Sequence, residues 1–270
     1  MTIIRAAAAL VALPVAASAQ LRPLEPFEWR MFDDGRTVSA QVGGGWFQDQ
    51  RASLAGTEGT LVEAGNVRAF WRTGRVVLEA GGTVQRRFDE ESRFAPAEPG
   101  VQPADDGERH DAGDYRVLTT VRLTNEGAPV AAALRFGARL PTTDNAVGLD
   151  RDATDFFATV GGRAVRGRMA VQAEAGVGIF GTRQTAFEQD DLLIYALRAE
   201  YDGGVIDPML TVVGQQVGSG HREIRGNESL GEVRLGARAG GRRWLLAEAV
   251  AGYTDFSPSL GVLVSAGMDW

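Results

Sequence analysis

The sequence predicts an all-β chain: an antiparallel up-and-down transmembrane β-barrel of about twelve strands, with short turns at one end and longer loops at the other. Three observations predict it. Apolar and polar residues alternate over stretches of about eleven residues, longer than a soluble strand and long enough to cross a bilayer. No other stretch is continuously apolar for the roughly twenty residues a membrane helix needs. The chain also ends on such an alternating stretch, Ser259 to Trp270, where Leu260, Val262, Val264, Ala266, Met268 and Trp270 share one face and Leu263 is the exception on the other.

The N-terminus reads as a secretory signal, residues 1–19. Arg5 precedes an apolar run from Ala6 to Val15, and Ala17-Ser18-Ala19 supplies a small-x-small site with cleavage after Ala19. Residues 20–36 carry Pro23, Pro26 and Asp33-Asp34-Gly35 and read as a short periplasmic lead-in; residues 37–270 read as the barrel. The chain has no cysteine, so disulfides and thiolate metal sites are excluded. Its net charge of −7 argues against nucleic acid as a partner.

Each element follows from the alternation. Strand one runs through Val38, Ala40, Val42, Gly44 and Trp46, and Gln48 to Gly59 reads as a polar loop. Strand two, about Leu61 to Arg72, sets Val67, Ala69 and Trp71 against Asn66, Arg68 and Arg72. Thr73-Gly74 turns tightly into strand three, Val76 to Gln85, and Asp89 to Gly113 reads as a long acidic loop. Tyr115 to Thr124 and Val130 to Leu140 form the next hairpin around Asn125 to Pro129. After Pro141 to Ala153, strands near Phe156 to Arg163 and Met169 to Ile179 flank Val165-Arg166-Gly167. A loop from Gly181 leads to Leu193 to Tyr201, and Asp202-Gly203-Gly204 turns the chain into Leu210 to Gln215. Gly218 to Ser229 is another polar loop. Val233 to Ala239 and Leu245 to Tyr253 flank Gly240-Gly241-Arg242, and Asp255 to Pro258 leads to the closing strand.

A soluble sandwich also alternates, but two features favour the membrane. The polar faces carry many charges, and the oily faces end in aromatics suited to a headgroup girdle: Trp71, Tyr115, Tyr195, Tyr201, Tyr253 and Trp270. In hydrocarbon every backbone N–H and C=O must be paired, so the sheet has to close. The polar faces then line an interior holding Arg68, Arg72, Arg75, Arg116, Arg122, Arg135, Arg139, Arg163, Arg168, Arg198, Arg234 and Arg238. With them are Glu79, Asp155, Glu174, Glu200, Glu232 and Glu248. An interior with this excess of arginine favours anions; the same groups could instead pair with one another and fill the barrel.

Other chemistry has weaker support. The acidic stretch Asp89 to Asp111 reads as a solvated loop, and Asp144 to Asp155 lacks the ligand spacing of a calcium loop, so no metal or other cofactor is expected. The two histidines, His110 and His221, fall in predicted loops with no compact nucleophile–base motif, so a lipid-active enzyme is the least favoured reading and no enzyme is expected.

The closing strand, alternating and ending in an aromatic, resembles that of bacterial outer-membrane β-barrels, where the terminal aromatic is read by the insertion machinery. Leu134 to Phe157 resembles the signature of the outer-membrane family associated with meta-pathway phenol degradation. Gly137, Leu140, Pro141, Thr142, Asp144, Gly148 and Asp155 match; Arg139 replaces a Lys and Thr143 a Gly. These resemblances imply an outer-membrane channel or transporter for small anionic, aromatic or hydrophobic solutes. Its partners would be outer-membrane lipid, lipopolysaccharide and the barrel-assembly machinery. The competing expectation is a structural or interaction barrel with a plugged interior that works through its loops.

Overall fold

The computed structural model describes residues 21–33, 36–141, 146–149, 151, 153–181, 189–218 and 224–270. Its strands are β1 (Val38–Ala52), β2 (Thr57–Thr73), β3 (Val76–Arg93), β4 (Glu108–Asp111), β5 (Tyr115–Arg122), β6 (Val130–Leu140), β7 (Asp155–Arg166), β8 (Met169–Gly181), β9 (Gln189–Tyr201), β10 (Ile206–Val217), β11 (Leu230–Gly240), β12 (Arg243–Gly252) and β13 (Leu260–Asp269). Neighbours in the chain are neighbours in the sheet and antiparallel, with β4 a short extra strand beside the outer part of β3. The sheet closes where β13 pairs with β1, from Ser39↔Asp269 to Gln48↔Leu260. Setting β4 aside, twelve strands form a closed barrel, as the alternation predicts.

Two predicted loops are corrected. Gln48 to Gly59 is the tip of a long hairpin, since β1 runs to Ala52 and β2 begins at Thr57. The acidic stretch after Asp89 likewise starts as strand: β3 continues to Arg93, and β4 folds back on it with Asp89↔Glu108 and Phe88↔Arg109 in register. Its acids are engaged there, Glu90 with Arg109 at 2.6 Å and both Asp89 and Glu108 with Arg87 at 2.8 Å.

Face assignment follows the alternation. Val42, Leu134, Val160, Leu197, Leu235 and Val264 point outward and exposed, an apolar exterior of the kind hydrocarbon solvates. Trp71, Tyr201, Tyr253 and Trp270 lie exposed on the same face. Tyr115 and Tyr195 are half-covered, and each packs against a neighbouring strand's glycine, Gly82 and Gly214. Tyr195 and Tyr253 meet hydroxyl to hydroxyl at 2.7 Å.

The alternation breaks at Gly65 in β2. This residue has φ +69 and sits in a bulge, so Asn66 and Glu63 both point inward although three positions separate them. β3 shifts with it, and Glu63 meets Arg86 inside the barrel at 2.7 Å.

Candidate functional site: the lumen and the segment that fills it

The largest departure from the sequence reading concerns residues 21–33. Expected as a periplasmic lead-in, they lie within the barrel instead. Their apolar side chains Leu21, Leu24, Phe27, Trp29, Met31 and Phe32 are all buried, in three successive clusters along the lumen. Leu21 packs with Phe47, Leu61, Phe88 and Leu149 near the loop end. Leu24 packs with Leu118, Phe157 and Phe180. Phe27 to Phe32 pack with Phe70, Val77 and Ala133 toward the turn end, where Trp29–Phe32 forms one 3-10 turn.

The local sequence explains the path. Leu21, Leu24 and Phe27 recur every third residue, as do Arg22, Glu25 and Glu28, with Pro23 and Pro26 in the third position. Three residues per turn is the period of polyproline II, an extended form without internal hydrogen bonds that proline favours. One edge of the segment is greasy and another charged.

The charged edge docks on the wall made by β8 to β11. Arg22 forks onto Glu232 with contacts of 2.9 and 2.7 Å, and Glu25 meets Arg234 at 2.8 Å. The Phe27 N–H donates to Glu174 at 3.0 Å. Arg30 reaches Asp207 at 3.2 Å and Glu200 at 3.6 Å. The carbonyls of Glu25 and Pro26 accept from Arg135 (2.9 Å) and Arg68 (3.0 Å) on other strands. Behind the plug the wall groups pair among themselves: Glu79 holds Arg68 at 2.9 Å and Arg135 at 2.7 Å, and Arg135 also reaches Glu174 at 3.2 Å.

The loop end is capped. Asp155, fully buried, accepts from Arg139, from Arg151 at 2.6 Å and from the Gly181 N–H at 3.0 Å. Arg151 also donates to the Gly181 carbonyl and to Asn227, and Arg225 reaches the Pro96 carbonyl, so several loops are tied together. Between the plug and the opposite wall, chiefly β12, β13, β1, β2, β3 and β5, a cavity of about 130 Å³ remains. It has room for several waters, against the ~10–15 Å³ one water needs, and falls short of the ~300 Å³ at the lower end of ligand pockets.

The structure places the residues predicted to line the interior in three settings. Arg68, Glu79, Arg135, Arg139, Asp155, Glu174, Arg198, Glu200, Glu232, Arg234, Arg238 and Glu248 are buried, and Arg116 is half-buried beside the cavity. Arg72, Arg122 and Arg163 gather at the turn end around the plug's last residues. Arg72 and Arg163 bond to Asp33 at 3.1 and 2.9 Å, and Arg122 lies over the Phe32 ring. Arg75 and Arg168 are corrections: both are exposed, at the β2–β3 and β7–β8 turns, because each strand ends there and the side chain no longer faces the lumen. The alternation also missed Glu63 and Arg86, on the far side of the Gly65 bulge, and the plug's Arg22, Glu25 and Arg30. The period of three was the available signal for the plug. His110 is exposed on β4, 3.2 Å from Glu108, whereas His221, Thr142, Thr143 and Asp144 lie outside the described residues.

Searches against protein families and against curated proteins give no match. Among solved structures, an outer membrane channel from Pseudomonas putida F1 superposes with a TM-score of 0.65 at 13% identity, covering 92% of this chain and 100% of that one. The fold is that of an outer-membrane β-barrel. Weaker likenesses include the translocator domain of the autotransporter NalP from Neisseria meningitidis (TM-score 0.48, 12% identity, 89% of this chain and 91% of that one). Another is the CymD monoaromatic hydrocarbon channel (0.45, 9%, 96% and 99%).

Proposed function

We propose that this protein is an outer-membrane channel for small solutes, closed in the conformation described and opened when residues 21–33 leave the lumen. One observation carries the reading: residues 21–33, a segment outside the strand pairing, pack against the wall side chains inside a charge-lined interior and leave a cavity of about 130 Å³. Twelve strands enclose more space than the eight whose side chains just fill a barrel. The plug supplies what the wall lacks, and because it takes no part in the strand pairing of the barrel, it can withdraw without breaking the sheet. In this reading the turn end faces the periplasm and the loops face outward amid lipopolysaccharide. The strand ending at Trp270 serves the assembly machinery. Cleavage after Ala19 would leave Gln20 directly ahead of the buried Leu21. The arginine-rich wall suits anionic solutes, and the structural neighbour from Pseudomonas putida being a channel supports the class.

The test is planar-bilayer conductance of the full chain against a variant lacking residues 21–33, each folded in detergent. The deletion is expected to convert rare or small events into steady single-channel steps. Because the loop end is also capped, a second reading stands beside this one: a structural barrel acting through its loops. A folded deletion variant that conducts no better than the full chain would favour that reading and remove the first.

A further inference from the structure

The cavity beside the plug has a lopsided wall. In the hydrogen-bonded register Arg68 of β2 faces Gly81 of β3, Gly81 faces Arg116 of β5, and Arg116 faces Arg139 of β6. Three arginines thus share one row across four neighbouring strands, and all three border the cavity. Gly81 is the bare position between two of them; a Cβ there would stand 3.2 Å from Arg68 Cγ and 3.6 Å from Arg116 Nε. Arg68 and Arg139 are well paired, with Glu79 at 2.9 Å and Asp114 at 2.9 Å, and Arg139 also holds Asp155. Arg116 is not. Among the described residues its one ionic contact is Glu79 at 3.8 Å, and its Nε has no hydrogen-bond partner. Glu79 is already taken by Arg68 and Arg135.

A guanidinium withdrawn from bulk water without a good acceptor is costly, and a planar anion presenting two oxygens is its best complement. The space beside it admits only a small one. We propose that Arg116 binds the carboxylate of a small organic acid in this cavity, with Arg68 and Arg139 flanking it. As a solute subsite this rests on the channel reading; as a binding site it does not.

Sodium benzoate and sodium acetate, against benzamide and acetamide at matched ionic strength, would be titrated into the full chain in detergent and followed by calorimetry and thermal unfolding. Both acids are expected to bind and raise the unfolding midpoint, and the amides to do neither. R116Q is expected to weaken benzoate about tenfold or more, the loss of one strong charged contact, whereas R75Q, at an exposed turn, leaves it unchanged. Should R116Q fail to fold, R116K, which keeps the charge and loses the fork, is expected to bind several-fold more weakly. Benzamide binding as well as benzoate, or benzoate binding unchanged in R116Q or R116K, would overturn the proposal, as would water alone occupying the site with no acid bound. Benzoate binding at Arg116 in a barrel that never conducts would keep the subsite and lose the channel; conduction without benzoate binding would do the reverse.

Discussion

Single residues in this barrel are constrained most tightly where charge is buried. Asp155 has no exposure and anchors Arg139, Arg151 and the Gly181 amide at once. Asp155→Ala would leave two interior guanidiniums short of their shared carboxylate, a change that costs about 3–5 kcal/mol when a buried pair is broken. A lowered unfolding temperature in detergent is expected, with Asp155→Asn less affected because it can still accept from Gly181; equal stability of D155A and the parent would refute this. Asp155 was legible in the sequence as a residue just ahead of a strand. Its partner Arg151 was not, because only the folded loops bring the two together. Glu63 was illegible for another reason: the bulge at Gly65, with its positive φ, turns Glu63 inward, whereas the alternation read from Asn66 to Arg72 would carry that position to the outer face.

At the scale of an element, the plug is finely balanced. Burying its six large apolar side chains contributes roughly 9–18 kcal/mol at about 1.5–3 each. Ordering its thirteen residues costs roughly 13–26 kcal/mol at about 1–2 each. Polar contacts worth about 1–3 kcal/mol apiece close the difference, so the charged edge decides whether the plug stays. Glu232→Gln removes the charge that Arg22 forks onto and is expected to enlarge the undocked population about tenfold or more, one strong contact's worth. Trypsin cleavage after Arg30 reports that population when reclosing outpaces cutting, so it should accelerate correspondingly in E232Q. No acceleration would mean that the Arg22 fork does not hold the plug. In the sequence the segment resembles a lead-in because neither period two nor period 3.6 describes it, and its two prolines look like linker.

The whole molecule depends on closure and on which face meets lipid. Leu235 is the most exposed of the large hydrophobics within β11, and Arg234 beside it is fully buried. Leu235→Arg would place a charge in hydrocarbon at a cost of about 2–4 kcal/mol near the bilayer midplane and less toward its surfaces. Folding titrations into lipid vesicles should show that loss; an unchanged folding free energy would mean that this face does not meet lipid. Strand number, face assignment and the pairing of the last strand with the first were readable from the amino acids alone. Each strand's alternation is local, and a bilayer leaves an all-strand chain no open edge. What only the tertiary structure decided is what the interior contains. That outcome depends on which distant charges meet, on one glycine that shifts a strand's faces, and on a terminal segment threading the lumen, none of which any local period encodes.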